Sequence, residues 1–210
     1  MDGPSQFNRM LRIALESLII ALFYFVLAQI GFQIAIAPGI VAPIWPAAGM
    51  AAAVVYILGP RAGVGIWLGS FLANVALLET IVGPTTAYQV SAISATGSTV
   101  QALVMVPALL RWVGPFPQTP KMRHLARLIA VVAPTCVIAA TAGVGGMAWA
   151  GLIATNPPLQ TWLTWWLGDF LGVVVMLPLL LMAYRWARRE QVGQQAKVTV
   201  FGFGIGFTLL

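Results

Sequence analysis

Six stretches of roughly 20 residues in this chain are apolar almost without interruption, and each is long enough to cross the hydrocarbon core of a bilayer, about 30 Å, as an α-helix. They run from Ile13 to Ala37, Ile40 to Leu58, Arg61 to Leu78, Thr85 to Leu110, Leu125 to Ala154 and Thr161 to Tyr184. A seventh begins at Val198 and has risen about 20 Å when the sequence stops at Leu210, so an incomplete seventh span is expected there. In lipid only helices and closed barrels satisfy every backbone group, and runs of this length fit helices. The expected fold is all-α, a polytopic transmembrane helical bundle forming a single domain over residues 1–210. Composition agrees, with 8% of residues charged against roughly 25% in a soluble domain.

The basic residues orient these spans. A net charge of +6 would favour nucleic acid if the cations shared one stripe, but they lie in short clusters between apolar runs, as cytoplasmic loop anchors do. Nucleic acid is therefore not an expected partner. Arg9 and Arg12 precede span one, and Arg61 separates spans two and three. Arg111, Lys121, Arg123 and Arg127 separate four and five, and Arg185, Arg188, Arg189 and Lys197 follow six. All eleven fall on one side, while the loops at 38–43, 79–84 and 156–160 hold none. A cytoplasmic amino terminus follows. The first apolar stretch, from Ser17 to Ala37, exceeds the roughly 7–15 residues of a secretory signal core and reads as a retained span. The single cysteine, Cys136, excludes an intrachain disulfide and reads as a small packing residue.

Polar side chains within spans are costly and usually face the bundle interior, so candidate functional residues are sought there. Gln29 and Gln33 share a face of span one. Trp45 stands at the start of span two, Asn74 in span three, Ser91 and Ser94 in span four, and Asp169 in span six. All are assigned to the outer half of the membrane. With every cation on the cytoplasmic side, Asp169 has no fixed counter-charge, and three readings are open. It holds a proton, it accepts hydrogen bonds from Asn74, Gln29, Gln33 or an indole N–H, or it awaits a cationic or hydroxyl-rich ligand. Trp166, three residues earlier on the same helix face, joins it as a candidate ligand-binding residue.

Other features have plainer readings beside functional ones. Ser91, Ser94, Ser98 and Gln101 line one helix face, where small polar residues permit close packing and otherwise form a pocket wall. Pro46 is expected in the first turn of a helix entered through Trp45, and its amides would attract carbonyl or anionic oxygens. Trp162, Trp165 and Trp166 suit an interfacial belt. Pro107, Pro134 and Pro178 are expected to kink their spans. No phosphate loop, HExxH helix, nucleophile elbow or carboxylate pair occurs, so nothing in these residues supports an enzyme, a metal site or a cofactor.

Several elements occur in order: Pro43-Ile44-Trp45-Pro46-Ala47-Ala48-Gly49, Leu58-Gly59-Pro60-Arg61, Leu68-Gly69-Ser70-Phe71-Leu72-Ala73-Asn74, Trp166-Leu167-Gly168-Asp169 and Leu177-Pro178-Leu179. Together they resemble a bacterial membrane-associated sensor domain of the first MASE type, from span one to span six. The resemblance implies about eight helices in the inner membrane, followed by a cytoplasmic histidine kinase, diguanylate cyclase or phosphodiesterase. It implies functional positions at Trp45, Pro46, Gly49, Asn74, Trp166, Gly168 and Asp169, with Pro178 completing the motif set. The departure is at the end, where the last helices and the output domain are missing. The expected function is a sensory input domain taking a small ligand or a membrane partner protein in an outer pocket. A small-solute transporter, or its substrate-binding subunit, is the alternative, and a scaffold is the third. The expected partners are the lipid bilayer, that ligand or partner, an output domain in cis and a second copy in a homodimer.

Overall fold

The computed structural model describes residues 4–34, 42–115, 122–153 and 158–206, the side chains of 4–5 and 189–206 excepted. The expected first-span end at 35–37, most of the first outer loop, Lys121, the start of the 156–160 loop and the last four residues lie outside them. Seven α-helices account for nearly all of the rest: α1 Pro4–Gln33, α2 Pro46–Leu58, α3 Gly63–Val82, α4 Pro84–Trp112, α5 Met122–Thr135, α6 Val137–Trp149 and α7 Pro158–Gly206. A 3-10 turn at Pro60–Ala62 joins α2 to α3, and no strand occurs among the described residues.

Local chemistry sets most boundaries. α2, α4 and α7 begin on proline, whose fixed φ suits a first turn and whose missing N–H costs nothing there. Gly59 and Gly83 end α2 and α3 at φ 77° and 74°, a left-handed backbone that favours glycine. Each glycine is followed by a proline that starts the next helical segment.

Five helical stretches are long and apolar enough to cross a membrane among the described residues: Gln6–Gln33, Pro60–Val82, Pro84–Trp112, Met122–Trp149 and Pro158–Arg188. The second expected span departs from its reading. Its helix covers 13 residues, about 20 Å, and residues 42–45 before it are not helical. The reason is steric: Pro43 and Pro46 push the residues before them out of the α region, and Trp45 sits at φ −114°, ψ 88°. α2 is nevertheless apolar all round and buried from Ala47 to Ala53. It occupies the middle of the bundle, packed mainly on α7 and also on α1 and α4. A helix with no polar face belongs in such a position.

The fifth span is divided. α5 stops at Thr135 and α6 starts at Val137, immediately after Pro134, which has no N–H to continue the ladder. α4 and α7 instead run on through Pro107 and Pro178. The basic stretch from Arg185 to Lys197, expected as a loop, is helical within α7. Its Arg, Ala, Glu, Gln and Lys residues are good helix formers, and no proline interrupts them. The expected six spans with a separate partial seventh are therefore not the observed segmentation.

Around α2, α3 packs on α4 and α1, and α6 on α4. Arg12 of α1 and Arg61 of the 3-10 turn both bond Glu16, at 2.9 and 3.3 Å. Two of the basic clusters thus share one end of the bundle. Large apolar side chains such as Leu15, Leu18, Leu22 and Val26 stand exposed along α1, the coat that lipid requires.

Candidate functional site

The two motifs flanking tryptophan meet where α2 begins. The backbone N–H of Trp45 donates to the carbonyl of Gly168 on α7 at 2.9 Å. A Cβ built on Gly49 would strike the Gly172 carbonyl oxygen, one on Gly172 the Trp45 carbonyl oxygen, and one on Gly168 the Ala42 carbonyl oxygen. Glycine at these positions lets α7 lie against the entry to α2, backbone on backbone. Non-helical backbone inside a membrane bundle has to be enclosed by protein, and Ala42 is 1% exposed.

That junction leaves Asp169 pointing into the bundle, 2% exposed. Its Oδ2 accepts a hydrogen bond from Gln101 Nε2 of α4 at 3.1 Å. Gln101 Oε1 in turn accepts from the backbone N–H of Ala139 at 3.2 Å. Ala139 lies in the first turn of α6, where amides have no partner within the helix. Because that amide can only donate, it fixes which way the Gln101 side chain faces. The break after Pro134 thus supplies the amide that orients Gln101, the hydrogen-bond partner of Asp169.

Beside Asp169 is a cavity of about 40 Å³, room for about three waters at roughly 10–15 Å³ each. Tyr24 of α1, Ser70 and Asn74 of α3, Ser94 and Ser98 of α4, and Asp169 supply its polar lining. Phe32, Trp45 and Trp165 add aromatic walls, and among the described residues no basic side chain lines it. Tyr24 interacts with the side chains of Ser70, Ser98 and Trp45, while Asn74 Nδ2 donates to the Ser70 carbonyl at 2.8 Å. Ser94 is 2% exposed, and its hydroxyl has no hydrogen-bond partner among the described residues.

Four expected site residues, Trp45, Asn74, Ser94 and Asp169, come together at this cavity. Pro46, Gly49 and Gly168 frame it from the α2–α7 junction. Gln29 is half-buried and Gln33 exposed, and neither lines it. Trp166 faces α5 instead, where its Nε1 donates to the Ala133 carbonyl at 2.7 Å and its ring stacks on Phe170 and Trp162. Pro178 lies further along α7, one residue after the buried Leu177. Trp166→Phe is expected to keep the stacking and lose the hydrogen bond, lowering stability by about 1 kcal/mol, read as a small drop in melting temperature. A drop as large as that of a core deletion would contradict this assignment.

Tyr24, Ser70 and the role of Gln101 were not anticipated. Tyr24 carries a hydroxyl in an otherwise apolar stretch, and Ser70 stands four residues before Asn74 on its face. Both signals are present in the sequence. The bond from Gln101 to Asp169 has no such signal, because it depends on how α4 and α7 face each other.

Fold and site together define a multi-pass helical membrane protein with a buried carboxyl group beside a small cavity. The MASE1 family model matches residues 17–205, and the chain belongs to that family of membrane-associated sensor domains of histidine kinases and cyclases. No curated protein and no solved structure matches it.

Proposed function

We propose that this domain senses a small ligand at the Asp169 cavity and relays its occupancy through α7 to a cytoplasmic output domain. The observation that carries the reading is a buried carboxyl group that has, among the described residues, one neutral partner, Gln101, beside a cavity into which a Ser94 hydroxyl without a partner among them is set. Such a site is costly to maintain in a membrane protein unless something uses it. Relay is supported by α7 itself, which carries Asp169, packs by glycine contact on α2 and runs as one helix to Gly206. A ligand that favoured one packing of α7 on α2 would shift the balance between the two arrangements.

The one-sided distribution of cations supports an inner-membrane protein with a cytoplasmic amino terminus. In this reading the domain is an input module and not a catalyst, and it works as a homodimer. The test is made in the full-length protein. Asp169→Asn should leave membrane abundance unchanged and alter output activity by about threefold or more, which corresponds to a coupling of about 0.7 kcal/mol. Unchanged output at normal abundance would sink the reading, as would a native reading frame with no kinase or cyclase after this domain.

A further inference from the structure

The cavity joins two features that the sensing reading by itself does not use together. One is a buried carboxyl group with no basic side chain among the described residues that line the space around it; the other is a set of four aromatic residues, Tyr24, Phe32, Trp45 and Trp165, lining the same space. The aromatic walls are held in place. The Trp165 ring packs on Gly143, where a Cβ would strike it, and the Trp45 ring packs on Gly31 in the same way. Trp45 also meets Phe32 edge to face, with ring centroids 5.0 Å apart.

Aromatic faces carry negative potential and attract organic cations, and a carboxylate taken out of water calls for a positive partner. We infer that the cavity binds a small organic ammonium, of the size of a short primary alkylamine, with its charge at Asp169 and its alkyl part against the aromatic walls. The inference rests on the sensing reading for its biological use, but not for the binding itself. The ammonium group has N–H donors in excess of one carboxylate, and the unpartnered Ser94 hydroxyl supplies an acceptor. An anion is disfavoured, because Asp169 would repel it and no cation among the described residues lines the space. A bare metal cation is disfavoured because hard ions demand a shell of oxygens, and much of this lining is aromatic and aliphatic. Room for about three waters suits an ammonium of a few heavy atoms. For three heavy atoms the ligand-efficiency ceiling corresponds to a Kd of about 1 mM.

The test uses the whole chain in phosphatidylcholine nanodiscs, titrated with ethylammonium chloride while tryptophan fluorescence and thermal stability are followed. A saturable response at millimolar concentration is expected, about tenfold weaker or more for ethanol, which has the same shape without the charge. Sodium chloride at the same concentration should give none. Asp169→Asn should weaken the response about tenfold or more. An equal response to ethanol or to sodium chloride overturns the inference, as does no saturable response to ethylammonium in the unaltered protein. Those comparisons need no variant to fold. Ethylammonium binding with no change in the output of the full-length protein would retain the site and remove the sensing reading. Output that answers to Asp169→Asn without amine binding would do the reverse.

Discussion

Gly172→Val should abolish the folded bundle, with a loss of about 3 kcal/mol or more. A Cβ at this position meets the backbone carbonyl oxygen of Trp45 rather than the end of a flexible side chain. Backbone cannot rotate aside, so α7 has to withdraw from the entry to α2. Withdrawal would also weaken the Trp45 to Gly168 hydrogen bond and open the space between Gly49 and Gly172. Gly145→Ala is the control. It lies in α6 with nothing within 4 Å of its added Cβ, and alanine improves helix propensity there by up to about 1 kcal/mol. Thermal retention of the monodisperse peak in detergent measures both. A Gly172→Val protein melting with the parent would show that the two helices are not locked at this point.

The second large effect is expected at Gln101. Gln101→Ala removes the donor to Asp169 and the acceptor for the Ala139 amide in one change. Two buried polar groups then lack partners, at about 1–3 kcal/mol each, and the truncated side chain leaves space behind. A total of about 3 kcal/mol or more follows. Asp169→Asn should be far milder, because the asparagine carbonyl can accept the same bond. In a double-mutant cycle, Gln101→Ala and Asp169→Ala should couple by roughly 0.5–3 kcal/mol. Strict additivity would show that the two side chains do not act on each other.

The contrast between these two sites explains what could be read from residues alone. Trp45-Pro46 was legible as a helix entry because proline acts on its own neighbours. Gly49 and Gly168 were legible only as members of a motif, since their reason is a carbonyl oxygen on another helix. Gly172 serves the same contact and carried no local mark. Trp166 was placed beside Asp169 because both share a helix face, yet three residues of helical rotation were enough to turn it toward α5. Gln101 was read with Ser91, Ser94 and Ser98 as a packing face or else a pocket wall, and it is the partner of Asp169. The basic stretch after Tyr184 was read as a loop because clustered cations report which side of a membrane a segment lies on. They say nothing about whether its backbone is helical.

Solvent, class and family follow from properties that add up along the chain: the length of apolar runs, the position of cations and the order of short motifs. Each is insensitive to which helices are neighbours, so a linear reading recovers it. The cavity is of another kind. Tyr24, Asn74, Ser94 and Asp169 belong to four helices, and the 3.6-residue period fixes the face each occupies on its own helix without fixing what that face meets. The glycine contacts of α3 with α1, at Gly65 and Gly69, and of α2 with α7, together with the break after Pro134, supply that missing relation. They turn four separately placed polar residues into one site.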